Sequence, residues 1–161
     1  SIGWHCFDTI SVSVGHNQYS NAGIKKNGTF SVNQPSAAMV KKLDYCGLHS
    51  GRNVDKSVLF DNFYGELQTA PMIKECPINF ECSVIQSIKR PVHTIFIGEI
   101  KEAYFDENCL TDGSPDISKI DPILFCPNLN TKINTKKFSG SYWKLGDYLA
   151  EAWKIGKEHK V

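Results

Sequence analysis

The sequence predicts a mainly β fold: a closed or nearly closed β-barrel with helices inserted between its strands. Residues 9–14 alternate strictly between polar and apolar side chains, which is typical of a half-buried strand. Residues 78–88 and 92–105 read as two long strands joined by the turn Lys89-Arg90-Pro91, and they predict an antiparallel hairpin. The strands do not alternate regularly with helices, and no G-x-G-x-x-G motif follows a strand, which excludes a Rossmann fold.

The composition indicates one globular domain that covers residues 1–161. The chain is 41% hydrophobic and carries a net charge of +1, which argues against a nucleic-acid partner. No apolar run approaches the ~18 residues that cross a bilayer, and the N-terminus has no signal-peptide pattern, so no membrane association is expected. Six cysteines without a C-x-x-C pair favour reduced thiols and a cytoplasmic location over a disulfide scaffold or a zinc site.

Four elements are predicted before residue 44: a strand at 9–14, a helix at 19–26, a strand at 29–33 and a helix at 37–44. Asn17 or Ser20 is the expected N-cap of the first helix, and Gly28 follows its expected end. Ser36 is the expected N-cap of the second helix.

The rest of the chain is less regular, apart from the long hairpin. The predicted order is a loop at 44–56, a short helix within 54–60, an irregular stretch at 62–68, a strand edge or turn at 70–73, the hairpin at 78–105, loops at 109–120, a short buried strand at 122–126, a polar loop at 128–137, an aromatic segment at 138–145 and a terminal helix at 147–157.

The 44–56 loop has the composition of an anion site. Its donors and close-approach residues are Gly47, Ser50, Gly51, Arg52 and Lys56. Glycines let backbone N–H groups approach a ligand, and the two cations favour a phosphate. The alternative is a polar, solvated loop between two helices.

Residues 16–20 form a second candidate, because a turn that opens a helix presents unpaired N–H groups to an anion. Plain N-capping is its alternative. His93 begins a central strand and is expected to face the barrel mouth, or else to cap the hairpin with its ring half in solvent. Gly98 lies inside the same strand, which suggests that another group packs closely there.

Two other kinds of chemistry find no support. A serine hydrolase is not predicted, because there is no G-x-S-x-G motif and His49-Ser50-Gly51 lacks a preceding strand. A metal site is not predicted either, because the spacings of His5, His16, His49 and His93 fit no recognised ligand pattern.

Six segments in order resemble the flavin reductase-like family, of the flavoredoxin type, whose fold is the FMN-binding split barrel. They are residues 28–33, 44–47, 50–56, 69–73, 93–99 and 142–146. The sequences S-G-R-N-V-D-K at 50–56 and H-T-I-F-I-G-E at 93–99 are the specific ones.

The resemblance implies a homodimer with one FMN per subunit, and NADH or NADPH as a possible electron donor. Residues 14–20 and 50–56 would hold the ribityl phosphate, residues 4–6 would lie along the isoalloxazine, and His93 would sit beside the flavin as an orienting group. No other catalytic side chain is expected, since the flavin carries the chemistry. The implied cofactor-binding residues are Trp4, His5, Cys6, Val14, Gly15, His16, Asn17, Tyr19, Ser20, Cys46, Gly47, Ser50, Gly51, Arg52, Lys56 and His93.

Two departures from the family pattern affect this interpretation. Gln18 stands where many relatives carry an arginine, so Arg52 and Lys56 are expected to contribute more positive charge. The chain is also expected to lack the leading strands that relatives carry ahead of its first residue.

Three functions remain open at this point. The first is an NAD(P)H-dependent flavin reductase-type oxidoreductase that passes electrons to flavin, ferric iron or a protein acceptor. The second is a flavoredoxin-like electron carrier, which has no nicotinamide site and exchanges electrons with a redox-protein partner. The third is a non-redox member of the split-barrel class.

Overall fold

A computed structural model of the protein describes residues 2–5, 7–128 and 139–158. The chain divides into two compact units, residues 1–122 (the sheet unit) and residues 123–161 (the carboxyl-terminal unit). Within the described residues, every helix is too short or too polar to cross a membrane.

The described part of the sheet unit contains nine strands. They are β1 (Ile2–His5), β2 (Thr9–Gly15), β3 (Thr29–Gln34), β4 (Asn62–Phe63), β5 (Met72–Ile73), β6 (Ile78–Lys89), β7 (His93–Phe105), β8 (Leu110–Thr111) and β9 (Ser114–Pro115). Five of them form an antiparallel sheet in the order β1-β2-β7-β6-β3, while β4–β5 and β8–β9 are two-stranded pairs. The long hairpin that the sequence predicts is β6–β7, and the strand β1 was not predicted.

One face of the sheet carries the apolar core. Its buried members are Ile10, Val12, Ile24, Phe30, Val32, Cys82 and Phe96. The strands contribute every second residue, as the period of a strand requires, and the helix α1 (Tyr19–Asn27) adds Ile24. This core fixes the position of α1 and of the turn that precedes it.

The opposite face is covered by residues 62–76, which lie over β3 and β6. Ser31 donates to the carbonyl of Pro71, the hydroxyls of Thr29 and Thr69 are 2.7 Å apart, and the side-chain oxygen of Asn33 accepts from the amide of Ile73 at 3.1 Å. The polar residues of β3 therefore hold this segment by hydrogen bonds.

A buried carboxylate anchors the same segment. Glu81 of β6 is fully buried, and its two oxygens accept from the amides of Glu66 and Leu67 and from the Tyr104 hydroxyl, each at 2.9 Å. Three hydrogen bonds offset the cost of removing the carboxylate from water.

The helix α1 agrees with its predicted position, and Gly28 ends it with a left-handed φ of 69°. The N-cap is Gln18 rather than Asn17 or Ser20, and none of the described side chains caps the helix. The Gln18 side chain instead accepts from the amide of Gly15 at 2.7 Å, which closes the turn ahead of the helix.

The second helix is longer than predicted. A 3-10 segment at Ala37–Met39 leads into α2 (Val40–Leu48), so Cys46 and Gly47 belong to a helix and not to the loop after it. Further along, the helix predicted within 54–60 is a single 3-10 turn at Ser57–Leu59. The stretch at 109–120 contains β8, β9 and a third helix, α3 (Ile117–Ile120), rather than loop alone.

The carboxyl-terminal unit contains the paired strands β10 (Ile123–Pro127) and β11 (Gly140–Lys144). The strand predicted at 122–126 is present as β10, but its predicted burial is wrong, because three of the five residues of β10 are exposed. The predicted terminal helix is also wrong: its described part has only a 3-10 turn at Ile155–Glu158. Trp153 has a φ of 60°, which interrupts a helix. The predicted 128–137 loop lies almost entirely outside the described residues.

Candidate functional site

The turn formed by residues 14–20 (the 14–20 turn) lies beside the start of β7. Gly15 pairs with His93 in the β2–β7 register, and the amide of His16 donates to the carbonyl of Val92 at 3.0 Å. The structure therefore brings His93 next to the turn.

His16 has a buried ring nitrogen without a partner. Its Nε2 atom is shielded from solvent and makes no hydrogen bond within the described residues. A buried, unsatisfied nitrogen costs about 1–3 kcal/mol, so a movement of the ring that gave this atom a hydrogen-bond partner would be favoured. Among the described residues no side chain caps the α1 helix that follows. The Asn21 amide donates to the Gln18 carbonyl at 3.1 Å, so the amides of Tyr19 and Ser20 are the first-turn donors that an anion would use.

The loop formed by residues 50–56 (the 50–56 loop) docks on this turn. Nε of Arg52 donates to the carbonyl of Asn17 at 3.2 Å. Gly51 lies against Tyr19, because a Cβ atom built at Gly51 would come within 3.3 Å of the Tyr19 Cβ. Two segments that are 35 residues apart in sequence thus form one surface.

The loop also has internal hydrogen bonds. The Ser50 carbonyl accepts from the amides of Asn53 and Val54 at 3.0 and 3.1 Å, and its hydroxyl accepts from the Arg52 amide at 3.3 Å. These contacts give the loop a compact conformation in which Arg52 is exposed at the turn.

Lys56 has a different environment from Arg52. Its Nζ atom donates to the carbonyls of Cys46 and His49, both at 2.9 Å, at the carboxyl end of α2. Gly47 lies in the last turn of α2, and apart from neighbouring helix backbone no described atom lies within 4 Å of a Cβ built there. The structure thus places these residues next to the loop, with Lys56 bound to backbone oxygens.

The residues expected along the isoalloxazine lie elsewhere. Trp4 and His5 pair with Ile10 and Thr9, at the end of β2 opposite Gly15. Since a strand rises about 3.3 Å per residue, Trp4 is roughly 16 Å from Gly15 along the strand. The Trp4 ring packs edge-to-face on Phe80 at 5.4 Å.

His5 has a partner within the strand pair: its Nε2 atom is 2.8 Å from the Ser11 hydroxyl. Cys6, which the sequence interpretation also assigns to the cofactor, lies outside the described residues. Of the residues assigned along the isoalloxazine, the two that are described therefore stand apart from the 14–20 turn.

A cleft of about 570 Å³ beside the turn was not anticipated from the sequence. It lies between α1, β3 and residues 69–71, and its lining includes Tyr19, Ser20, Lys26, Phe30, Ser31 and Thr69. Tyr19 and Ser20 belong to both the cleft and the 14–20 turn. In the sequence, the alternating hydroxyl residues Thr29 and Ser31 of β3 were the one feature that could have indicated the polar wall of this cleft.

The described residues contain no group of three or more His, Cys, Asp or Glu side chains placed to hold a metal ion. His5 and His16 lie at opposite ends of β2. His49 forms a parallel stack with Tyr45, with 4.0 Å between ring centroids.

Comparison with known proteins places this geometry in a family. The model of the flavin reductase like domain matches residues 5–128. A protein of Archaeoglobus fulgidus is 32% identical over 111 residues, which are 68% of this chain and 62% of that protein. A protein of Pyrococcus abyssi is 24% identical over 108 residues, or 63% of its length. The chain thus spans a little over three fifths of the curated relatives it matches.

Two solved flavoredoxin structures match nearly the whole chain. Flavoredoxin from Methanosarcina acetivorans is 46% identical, with a TM-score of 0.87 over 97% of this chain and 80% of that one. Flavoredoxin of Desulfovibrio vulgaris is 37% identical, with a TM-score of 0.83 over 96% of this chain and 80% of that one. These matches confirm the predicted mainly β, split-barrel fold. The protein therefore belongs to the flavin reductase-like family, and within it to the flavoredoxin type.

Proposed function

We propose that the protein binds FMN, with the phosphate held between the 14–20 turn and the 50–56 loop. The observation that carries this proposal is the docking of Arg52 and Gly51 on that turn, which also contains His16 with its buried Nε2 atom. An uncapped helix start, a serine hydroxyl and a guanidinium form a donor set that suits a phosphate. Family membership supports a flavin as the ligand.

We propose further that the protein is an NAD(P)H-dependent flavin reductase-type oxidoreductase, acting on flavin, ferric iron or a protein acceptor. A bound flavin would supply the hydride and electron transfer itself. The protein residues would bind and orient it: Ser50 and Arg52 at the phosphate, and His93 as a neighbour of the turn. The position of His93 opposite Gly15 supports this orienting role.

A flavoredoxin-like electron carrier without a nicotinamide site is the second candidate. The identities of 46% and 37% to two flavoredoxins favour it. In that case a redox protein would reduce the bound flavin. A non-redox role within the same fold is the third possibility, and it predicts a colourless protein.

A cytoplasmic homodimer fits either redox function. Ile85, Ile88 and Val92 at the closed end of the β6–β7 hairpin are 60%, 41% and 73% exposed. Apolar side chains grouped in this way support an interface with a second copy, close to His93. Sedimentation of the protein with and without FMN would measure the association.

The absorbance spectrum of the purified protein tests the proposed function. A band near 450 nm, roughly the position for oxidised flavins, is expected, and NADH or NADPH added without oxygen should bleach it. Bleaching by a reduced redox protein but by neither nicotinamide would select the electron carrier. A protein that stays colourless and takes up no added FMN would leave the non-redox role.

A further inference from the structure

The two cations of the 50–56 loop have different surroundings. Arg52 is exposed and its Nε atom donates to the Asn17 carbonyl of the 14–20 turn. Lys56 is half-buried and its Nζ atom donates to the carbonyls of Cys46 and His49. The composition of the loop predicts that both cations bind a phosphate. In the structure, however, the two side chains bind backbone carbonyls of two different segments.

The carboxyl end of α2 needs a cation. The last carbonyls of a helix lack intrahelical partners and carry a partial negative charge. The last turn of α2 contains no basic residue, and it includes Gly47, a poor helix former. Lys56 supplies the missing charge from outside the helix, and its two bonds of 2.9 Å neutralise the helix end.

The bond from Lys56 to His49 also closes the loop that follows the helix. His49 is the C-cap residue of α2, and residues 50–55 lie between the two bonded positions. Within this closed segment, Gly51 lies against Tyr19 and Arg52 contacts Asn17. If the ammonium turned to a phosphate, the two carbonyls would lose their partners, and the loop would lose its closure.

We propose that Lys56 is a positioning residue: it binds the carboxyl end of α2 and thereby holds residues 50–52 against the 14–20 turn. Arg52 is then the cation that contacts the phosphate. The effect on FMN binding rests on the proposed function. The structural half of the inference, that Lys56 holds the loop, concerns the ligand-free protein.

Hydrogen exchange of the ligand-free protein tests the structural half. The amides of His49, Asn53 and Val54 are hydrogen-bonded in the helix end and the loop. Lys56→Gln is expected to speed their exchange roughly three- to tenfold, since a bond from a charged donor is lost at each carbonyl. Lys56→Arg should restore most of the protection. Lys25→Gln, which removes an exposed lysine of α1, is the control and should leave these amides unchanged.

The affinities for FMN and for riboflavin, which lacks the phosphate, test the consequence. Lys56→Gln is expected to weaken FMN binding about tenfold and riboflavin binding less. If Lys56 acts through the loop, adding Lys56→Gln to Arg52→Gln should weaken FMN binding by less than twofold more. A direct phosphate contact would instead give two independent losses that multiply.

Each result has a separate meaning. Exchange that is unchanged in Lys56→Gln would overturn the proposal, and so would multiplicative losses of FMN affinity. If the wild-type protein bound neither flavin, the proposed function would fail, while the exchange measurement would still decide whether Lys56 holds the loop.

Discussion

Gly98 of β7 lies directly against the aromatic ring of Phe30 on β3. A Cβ atom built at Gly98 would come within 2.5 Å of two ring carbons of Phe30 and within 3.1 Å of the Cys82 Cβ. Packing therefore requires the glycine. The sequence interpretation, that a glycine inside a strand marks a close approach, is confirmed at this position.

Gly98→Ala should destabilise the protein, because the added methyl group must displace Phe30 or the strand itself. Overpacking of this kind costs about 1–3 kcal/mol. Gly47→Ala is the matched control: nothing lies within 4 Å of its added Cβ, and alanine in a helix is favoured over glycine by up to about 1 kcal/mol. Urea denaturation of both variants measures the difference. Equal stability of the two variants would contradict the packing argument.

Local patterns were sufficient for the central elements of the fold. The strict alternation of β2 and the glycine after α1 predicted both elements correctly, because each depends on a few neighbouring residues. The helix predicted in the carboxyl-terminal segment was wrong for the opposite reason, because such a helix depends on tertiary packing. Leu149 and Trp153 repeat at a helical spacing but are 95% and 90% exposed. A helical repeat of apolar residues stabilises a helix only where another part of the protein packs against them.

The sequence indicated the segments of the candidate site but not the contacts between them. Glycines and cations marked the 50–56 loop, but their spacing could not reveal that Lys56 is bound by backbone carbonyls at the end of α2. Glu81 gave no signal at all, because its three partners come from residues 14, 15 and 23 positions away in sequence. Such contacts exist only after the chain has folded.

Glu81→Gln should be strongly destabilising. Both carboxylate oxygens accept hydrogen bonds, and the amide NH₂ of glutamine would face a donor instead of accepting from it. Leaving a buried donor without a partner costs about 1–3 kcal/mol, in addition to the weaker hydrogen bonds of an uncharged acceptor. Glu102→Gln is the control, because Glu102 pairs with Glu81 across the β6–β7 ladder but is exposed. Thermal unfolding of the two variants should differ by several degrees, and a similar loss in both would show that Glu81 is not the anchor.

Two buried thiols should resist chemical modification. Burial raises the pKa of the Cys82 thiol to about 12 and that of Cys76 to about 11, and a nearby glutamate adds to each effect. Since the thiolate is the reactive form, both groups stay protonated at pH 8. Mass spectrometry after treatment with a maleimide should show Cys82 and Cys76 unmodified in the native protein and modified in urea. Rapid native modification of either thiol would mean that the core opens on the timescale of the reaction.

Substitution of Gly51 by a residue with a larger side chain should weaken FMN binding. A Cβ at Gly51 would lie 3.3 Å from the Tyr19 Cβ, so the loop must move away from the turn by a few tenths of an ångström. Because the proposed phosphate donors come from both segments, FMN affinity should fall about two- to fivefold in Gly51→Ala and further in Gly51→Val, roughly in proportion to the displaced volume. Riboflavin affinity should change less, since it lacks the phosphate.

Asn53→Ala is the control for these variants, because Asn53 is an exposed residue of the same loop and the substitution keeps the backbone amide that donates to the Ser50 carbonyl. Fluorescence titration with FMN should show wild-type affinity in this variant. If Gly51→Val also bound FMN like the wild type, the contact between the 50–56 loop and Tyr19 would have no part in holding the phosphate, and the site would have to be assigned to other donors.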